Sequence, residues 1–528
     1  MTDDTGHVAD STGHAAGDTG RGADSNGQAA VSAEAGGGEA ERSLGAKAKR
    51  GLSWSLLGTV GTKAGSFALN LVLARLLAPR DFGVFAIALA AWAFLIHIND
   101  AGIIAAVVQW RGKLEEMAPT AAVLAFVSSA LVYAACWFAA PYYAHLANSD
   151  AATGPIRLLC LVVVVDGITA VRSGSLMRTF RQDTIVKANL VGLVCQAPVA
   201  VALALARFGP YSFVWGQVVA SVVAGALIMK WADVPARFGF DRTVARRLLR
   251  FGLPLAASLG IESVLLNADY VIVGHVLGTV AIGYYMIAFN VSSWVPTLVG
   301  QAIRYVSTAA FSRLAERDDP DSLSDGVRRS LPLLLAFVFP AAVLLATLAE
   351  PLLTLLYGAR WTPGAVVLGF LAVLMAVRMI TSLTFDVLTA AGRTRATMWL
   401  NLAWVVVLVP ALLAGVRLDG IRGVGMAHAL VGVAVALPLA LLALHRAGVR
   451  LAPALPALVR PAVAAALTAA VVLGADRAVT AAAGPVAAAR LVVAGGLGVL
   501  VYLLLVVPRD AFARVAHRLP IPATSKEG

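Results

Sequence analysis

Lys63 and Asn70 lie seven residues apart inside one apolar stretch, and Glu262 and Asp269 repeat that spacing inside another. Seven residues make about two turns of helix, so each pair shares a face. Charge at membrane depth is costly and is kept chiefly where it meets a solute, an ion or another charge. The two faces could present opposite charges to one cavity, or form a static buried ion pair between two helices. Arg378 is the only arginine well inside an apolar stretch, with Thr381, Ser382, Thr384 and Asp386 on the following turns. A guanidinium engages phosphate oxygens in pairs; a partner in Asp386 or a nearby carbonyl is the alternative. Arg111 and Arg304, near the ends of two further stretches, could catch an anionic headgroup or snorkel to lipid phosphates. His97, Asn99 and Asp100 make a polar step just before Gly102, read either as a proton-coupling element or as a hydrogen-bonded helix contact.

The elements that must position these residues follow from composition. Of 528 residues, 59% are hydrophobic and 14% charged, with a mean hydropathy of +0.80, against about 25% charged residues in soluble domains. Such a chain has lipid as its solvent. The net charge of +12 is dispersed between apolar stretches, which argues against a nucleic-acid surface. Cys136, Cys160 and Cys195 lie within apolar stretches without metal-ligand spacing and read as packing residues. No P-loop or enzyme signature appears; Gly495, Gly496 and Gly498 sit within a span and suit close helix packing. Neither cofactor nor metal is expected.

Hydropathy gives about fourteen helical stretches between residues 52 and 507, the fourth and thirteenth being the weakest. Every second connection is basic, which places both termini on the cytoplasmic side. The segment Phe82-Gly83-Val84-Phe85-Ala86 recurs as Ile282-Gly283-Tyr284-Tyr285-Met286, each opening a span after a short outer turn. An even number of spans separates the copies, so they keep the same orientation, as a parallel repeat does. The expected fold is an all-α polytopic membrane protein. Two pseudo-symmetric six-helix lobes, 46–231 and 251–445, surround a central cavity, and two additional helices follow in 446–509. Residues 1–45 read as a disordered cytoplasmic tail, 510–528 as a second cytoplasmic tail, and 232–250 as an amphipathic linker in the headgroup layer or an ordinary basic connection.

Several segments, in this order and spacing, resemble a known family. They are Leu73-Ala74-Arg75-Leu76-Leu77-Ala78-Pro79-Arg80-Asp81-Phe82-Gly83, Asp100-Ala101-Gly102 near Gln109, and Leu266-Asn267-Ala268-Asp269-Tyr270-Val271-Ile272-Val273-Gly274. Leu277-Gly278 with Gly283-Tyr284-Tyr285, Phe311-Ser312-Arg313-Leu314, Leu356-Tyr357-Gly358 with Trp361, and Leu388-Thr389-Ala390-Ala391-Gly392-Arg393 complete the set. The likeness spans about residues 50–445 and is to the polysaccharide-transporter branch, with its Wzx-like oligosaccharide flippases, of the multidrug/oligosaccharidyl-lipid/polysaccharide exporter superfamily. It implies a carrier in the bacterial cytoplasmic membrane that moves a polyprenyl-pyrophosphate-linked oligosaccharide to the outer leaflet. Lys63, Asn70, Arg378, Arg304 and Arg111 would meet the substrate; Glu262, Asp269, Asp100, His97 and Asp386 would serve ion coupling or charge pairing. Tryptophans such as Trp92 and Trp404 could line a sugar path, anchor at interfaces or simply pack. Implied partners are the lipid-linked oligosaccharide, membrane lipids, and a polysaccharide polymerase and glycosyltransferases of the same pathway. A cation-coupled drug or metabolite extruder and a peptidoglycan-precursor flippase are the alternatives within the superfamily.

Overall fold

The computed structural model describes residues 58–109, 114–232, 239–294, 320–450 and 455–506, all helical apart from short turns. Ten of its helices are long and apolar enough to cross a membrane. Apolar side chains all round a helix suit lipid on one side and packed helices on the other. The two stretches weakest by hydropathy are among the ten, as Asp150–Arg178 and Pro456–Ala483. Helices at 58–76, Arg242–Leu277 and Thr279–Ser292 stand beside them.

Local chemistry explains the helix starts. Pro79 supplies the preset φ of a first helical turn, and Asp81 reaches back to accept the Ala78 amide at 3.0 Å, as in a capping box. Asp241 caps Arg242–Leu277 by accepting the Thr243 and Val244 amides at 2.7 and 3.2 Å. The helical run of 52 residues over Arg395–Arg446 is broken by non-helical torsions at Asp419 and Gly420, where Gly420 has φ 53°. Trp404 and His428 line one cavity, so the chain reverses at that break.

Residues 242–250, expected in a linker, are instead the first turns of Arg242–Leu277. Its 36 residues rise about 54 Å at 1.5 Å each, well beyond a ~30 Å hydrocarbon core. The helix therefore needs no separate segment to carry its arginines past the lipid tails. Leu248 is buried among Val107, Met117, Ala121 and Val171, and the Asp241 amide donates to Thr120 Oγ1 at 3.0 Å. Arg242–Leu277 thus packs against the first half of the chain, and mainly along Pro79–Gln109. One continuous buried core links the halves, from Leu73, Phe82 and Phe213 to Ile282, Tyr285, Trp361 and Leu371.

The C-terminal helices, Leu455–Ala483 and the run from Ala487 to Val506, lie against Pro320–Thr347. Buried Arg490 fastens them. Its Nε and Nη2 donate to the two oxygens of Asp476 at 2.7 and 2.9 Å, and Nη2 approaches Glu350 at 3.4 Å.

Candidate functional site

At one end of the bundle the two halves exchange contacts in equivalent positions. Gly83 packs on the Thr279 carbonyl and Gly283 on the Pro79 carbonyl, so closely that a Cβ on either would fall inside the oxygen's van der Waals radius. Only glycine permits that approach. Beside this crossing, the last turn of the 58–76 helix has carbonyls without intrahelical donors, as every helix C-terminus does. Trp361 Nε1 donates to the Ala74 carbonyl at 3.1 Å, and Arg360 donates to the same oxygen. Arg75 returns the favour, donating to the Leu355 and Leu356 carbonyls at 3.0 and 3.2 Å. His275 Nδ1 meets the Leu146 carbonyl at 2.8 Å. Cations at helix C-termini also complement the helix dipole. Trp361 is fully buried, with its ring edge-on to Phe82 at 4.9 Å between centroids. Segments far apart in sequence, Leu73 to Gly83, Ile282 to Tyr285, and Leu356 to Trp361, here become one seam.

The second half holds a buried polar network. The Tyr285 hydroxyl donates to Asp269 Oδ2 at 2.5 Å and lies 3.2 Å from His428 Nδ1. Asp269 Oδ1 accepts the Tyr270 amide at 2.9 Å. Asp269, Arg378, His428 and Trp404 line a cavity of ≈ 20 Å³, room for about one water. Trp404 Nε1 is buried with no hydrogen-bond partner among the described residues. Four segments contribute: Arg242–Leu277, Thr279–Ser292, Ala365–Ala390, and both sides of the break at Gly420. A carboxylate 1% exposed in lipid surroundings persists because a guanidinium and two hydrogen-bond donors share its pocket.

The structure brings Asp269 and Arg378 together and adds Tyr285 and His428, which sequence reasoning did not single out as chemical groups. It does not bring Asp269 toward Lys63. Asp269 points into its own half, so the charge pairing expected across the halves is not made by this residue. Lys63 and Asn70 share the face of the 58–76 helix that carries Phe67. The Phe67 ring meets Trp294 and Tyr357 of the second half at 4.1 and 6.2 Å between centroids, so that face looks across the halves. Lys63 is exposed and Asn70 half-buried. Asp386 stands about two turns beyond Arg378 on the same helix, half-buried. Asn99 accepts a buried hydrogen bond from Ser129 at 3.0 Å, a contact between helices. Arg111 and Arg304 lie outside the described residues, as do the side chains of His97, Asp100 and Glu262. Among the described residues no group of His, Cys, Asp and Glu has the arrangement of a metal site.

Comparison with known proteins places this architecture. Residues 72–366 match the family model described as polysaccharide biosynthesis protein. The chain is 26% identical over 377 residues to the succinoglycan biosynthesis transport protein ExoT of Rhizobium meliloti (strain 1021), covering 71% of this chain and 74% of that protein. It is 24% identical over 398 residues to the lipopolysaccharide biosynthesis protein WzxC of Escherichia coli (strain K12), covering 74% and 79%. Among solved structures, the lipid II flippase MurJ in an inward closed conformation superposes with a TM-score of 0.69 at 13% identity, covering 88% of this chain and 99% of that one. An inward-facing MATE family multidrug resistance transporter gives 0.61 at 16% identity, covering 73% and 94%. These likenesses show the fold, an all-α multi-pass membrane protein of the MATE and MurJ type. The family model covers more than half of the chain, and with it the seam and Asp269: the chain belongs to the polysaccharide biosynthesis protein family, and stands among transport proteins, not enzymes.

Proposed function

We propose that this protein is a flippase that moves polyprenyl-pyrophosphate-linked oligosaccharide from the inner to the outer leaflet of a bacterial cytoplasmic membrane by alternating access. In this reading the chain crosses the membrane fourteen times. Lobes 46–231 and 251–445 move against each other, two further helices lie in 446–509, and both termini are cytoplasmic. The seam at Gly83, Gly283 and Trp361 closes the outer side. Names borne by relatives support the cargo class: one serves succinoglycan transport, another lipopolysaccharide biosynthesis, and a third, TuaB of Bacillus subtilis (strain 168), teichuronic acid biosynthesis. This protein's partners would be glycosyltransferases of the same pathway, which build the lipid-linked oligosaccharide, and a polymerase that takes it up after transfer.

The observation that carries the proposal is the placement of Lys63. It stands on a helix face turned toward the other half, and Ala74 of the seam lies about 16 Å further along the same helix axis. A cation between two lobes can receive a pyrophosphate when the inner side is open and release it when the seam parts. Arg378, in the second lobe, shares the pocket of Asp269, and would become a bidentate partner for the same group only on leaving that carboxylate as the lobes move.

The test is transfer of a fluorescent polyprenyl-pyrophosphate glycan between leaflets of liposomes holding the purified protein. Transfer by the wild type that falls in Lys63→Ala or Arg378→Ala, with folding intact, supports the reading. Absence of transfer across several glycans and ion gradients overturns it and favours a drug or metabolite extruder.

A further inference from the structure

A cavity of ≈ 470 Å³ lies entirely within the first half, walled by the 58–76 helix, Pro79–Gln109, Leu161–Arg178, Gln182–Leu205 and Tyr211–Trp231. That volume falls in the range of small-molecule sites, about 300–1,000 Å³. It adjoins the Lys63 face: on the 58–76 helix, Thr62 and Ser66 line the cavity, and Ser66 lies one turn from both Lys63 and Asn70, while Phe67 on the next row meets the second half.

The lining is polar in an unusual way for membrane depth. Asn189, Gln196 and Gln217 bring three carboxamides, Asp166 a carboxylate, and Trp92 an indole. No lysine or arginine lines it among the described residues. Polar side chains facing lipid-depth space are retained where a cavity or a ligand satisfies them. Each carboxamide carries two donor hydrogens and an acceptor oxygen, yet the contact between Gln196 Nε2 and Gln217 Oε1 is long, at 3.4 Å. Trp92 Nε1 is buried with no hydrogen-bond partner among the described residues. On the Tyr211–Trp231 helix, the small residues Ala220, Ser221 and Gly225 line the cavity beyond Gln217.

Each candidate ligand makes a different demand on such a lining. A pyrophosphate needs cations, and the cavity offers a carboxylate instead. An apolar drug would use none of the hydrogen-bonding capacity of Asn189, which is exposed, or of Gln196 and Gln217, which are half-buried. A neutral polyhydroxyl compound suits all of it: carboxamides and a carboxylate bond adjacent hydroxyls in pairs, and an indole packs on the C–H face of a pyranose ring. We propose that the first lobe contains a pocket for uncharged sugar units, beside the cationic site for the pyrophosphate. The choice of a sugar rests in part on the flippase reading; the pocket itself rests on its lining. A glycan carried through the protein would then be held at two points, by its charged end between the lobes and by a sugar unit inside one lobe.

The experiment is intrinsic fluorescence of the purified full chain in nanodiscs, titrated with methyl glucoside, methyl galactoside, methyl mannoside and N-acetylglucosamine at millimolar concentration. Inorganic pyrophosphate and tetraphenylphosphonium are run beside them. The expected result is a saturable response to at least one sugar that disappears in Trp92→Phe, weakens about tenfold in Gln217→Leu, and is not produced by pyrophosphate. Ser221→Phe, which fills the cavity without removing a carboxamide, should abolish the response even if Gln217→Leu fails to fold. A Trp92-dependent response to tetraphenylphosphonium alone, or to none of the probes, overturns the proposal. The glycan-transfer assay on the same preparations separates the two readings: transfer without a sugar response removes the pocket only, and a sugar response without transfer removes the flippase only.

Discussion

Gly83 rests on the carbonyl of Thr279 while Gly283 rests on the carbonyl of Pro79, so the same contact is made twice, once by each copy of the repeat. Such a reciprocal contact is what a two-fold relation between equivalent surfaces produces. Adding side-chain bulk at either glycine should wedge the seam open, since overpacking a tight contact costs about 1–3 kcal/mol. In a chain with Cys136, Cys160 and Cys195 replaced, a Thr279→Cys reporter should react about tenfold faster with a membrane-impermeant maleimide when Gly283→Leu is added. An unchanged rate would show that the seam does not depend on this approach.

Tyr285→Phe should be destabilising although it removes one oxygen. The buried Asp269 carboxylate loses a 2.5 Å hydrogen bond, and hydrogen bonds to charged groups contribute about 1.5–3 kcal/mol. Thermal unfolding in detergent should register a lower midpoint for Tyr285→Phe than for the wild type. Adding Asp269→Asn to Tyr285→Phe should recover part of the loss, because the charge left without its donor is gone. A double variant no more stable than Tyr285→Phe would refute the coupling.

The C-terminal helices should come loose when Arg490 is cut back. Its side chain is 10% exposed and that of Asp476 14%, and breaking a buried pair from one side costs about 3–5 kcal/mol. Glu350, at 59% exposed, should matter little. Limited proteolysis in the turn at Gly484 should speed up in Arg490→Ala, and much less in the matched apolar pair Arg490→Met with Asp476→Leu. Equal rates in the two would remove the ion pair as the fastening.

Acidification should fray the start of Arg242–Leu277. The backbone amides of Val244 and Thr243 hold the Asp241 carboxyl below its ordinary range. A depressed carboxylate stabilises the fold above its unfolded pKa, and that contribution is lost as pH falls through the folded pKa. Amide hydrogen exchange at Thr243 and Val244 should rise below about pH 4 in the wild type, relative to the pH trend of Asp241→Asn, whose cap does not titrate. Parallel profiles would sink this assignment.

Much of this architecture is legible in the residue pattern, because lipid imposes a length and a polarity on each span. Even Asp150–Arg178 and Pro456–Ala483, short or alanine-rich as apolar stretches, are full helices. The repeat about Gly83 and Gly283 also shows in sequence, as does the oddity of Asp269 and Arg378 at membrane depth. What does not show is pairing over distance. Tyr285 and His428 are 143 residues apart, and a histidine between Ala427 and Ala429 carries no local sign of its partner. Arginines that break the basic-inside pattern look like noise until their contacts are seen. Arg75 and Arg360 cap carbonyls across the seam, Arg157 lies over Trp137 and bonds its carbonyl, and Arg490 holds Asp476. Each is held by a specific contact, so the charge does not report the side of the membrane.

The bond from Trp361 to Ala74 spans 287 residues, and that separation is also an interval of time. At ribosomal rates of about 5–20 residues per second, roughly 15–60 s pass between the synthesis of Ala74 and that of its partner. Through that interval the Ala74 carbonyl is bonded to something else, water or lipid headgroups, and for most of it Gly83 faces no Thr279, which is itself made 196 residues after Gly83. Closure is therefore a late event in biogenesis, and a nascent chain interrupted before Arg360 is left with an unlatched end. Such a product keeps the Ala74 carbonyl without the two donors that Arg360 and Trp361 supply.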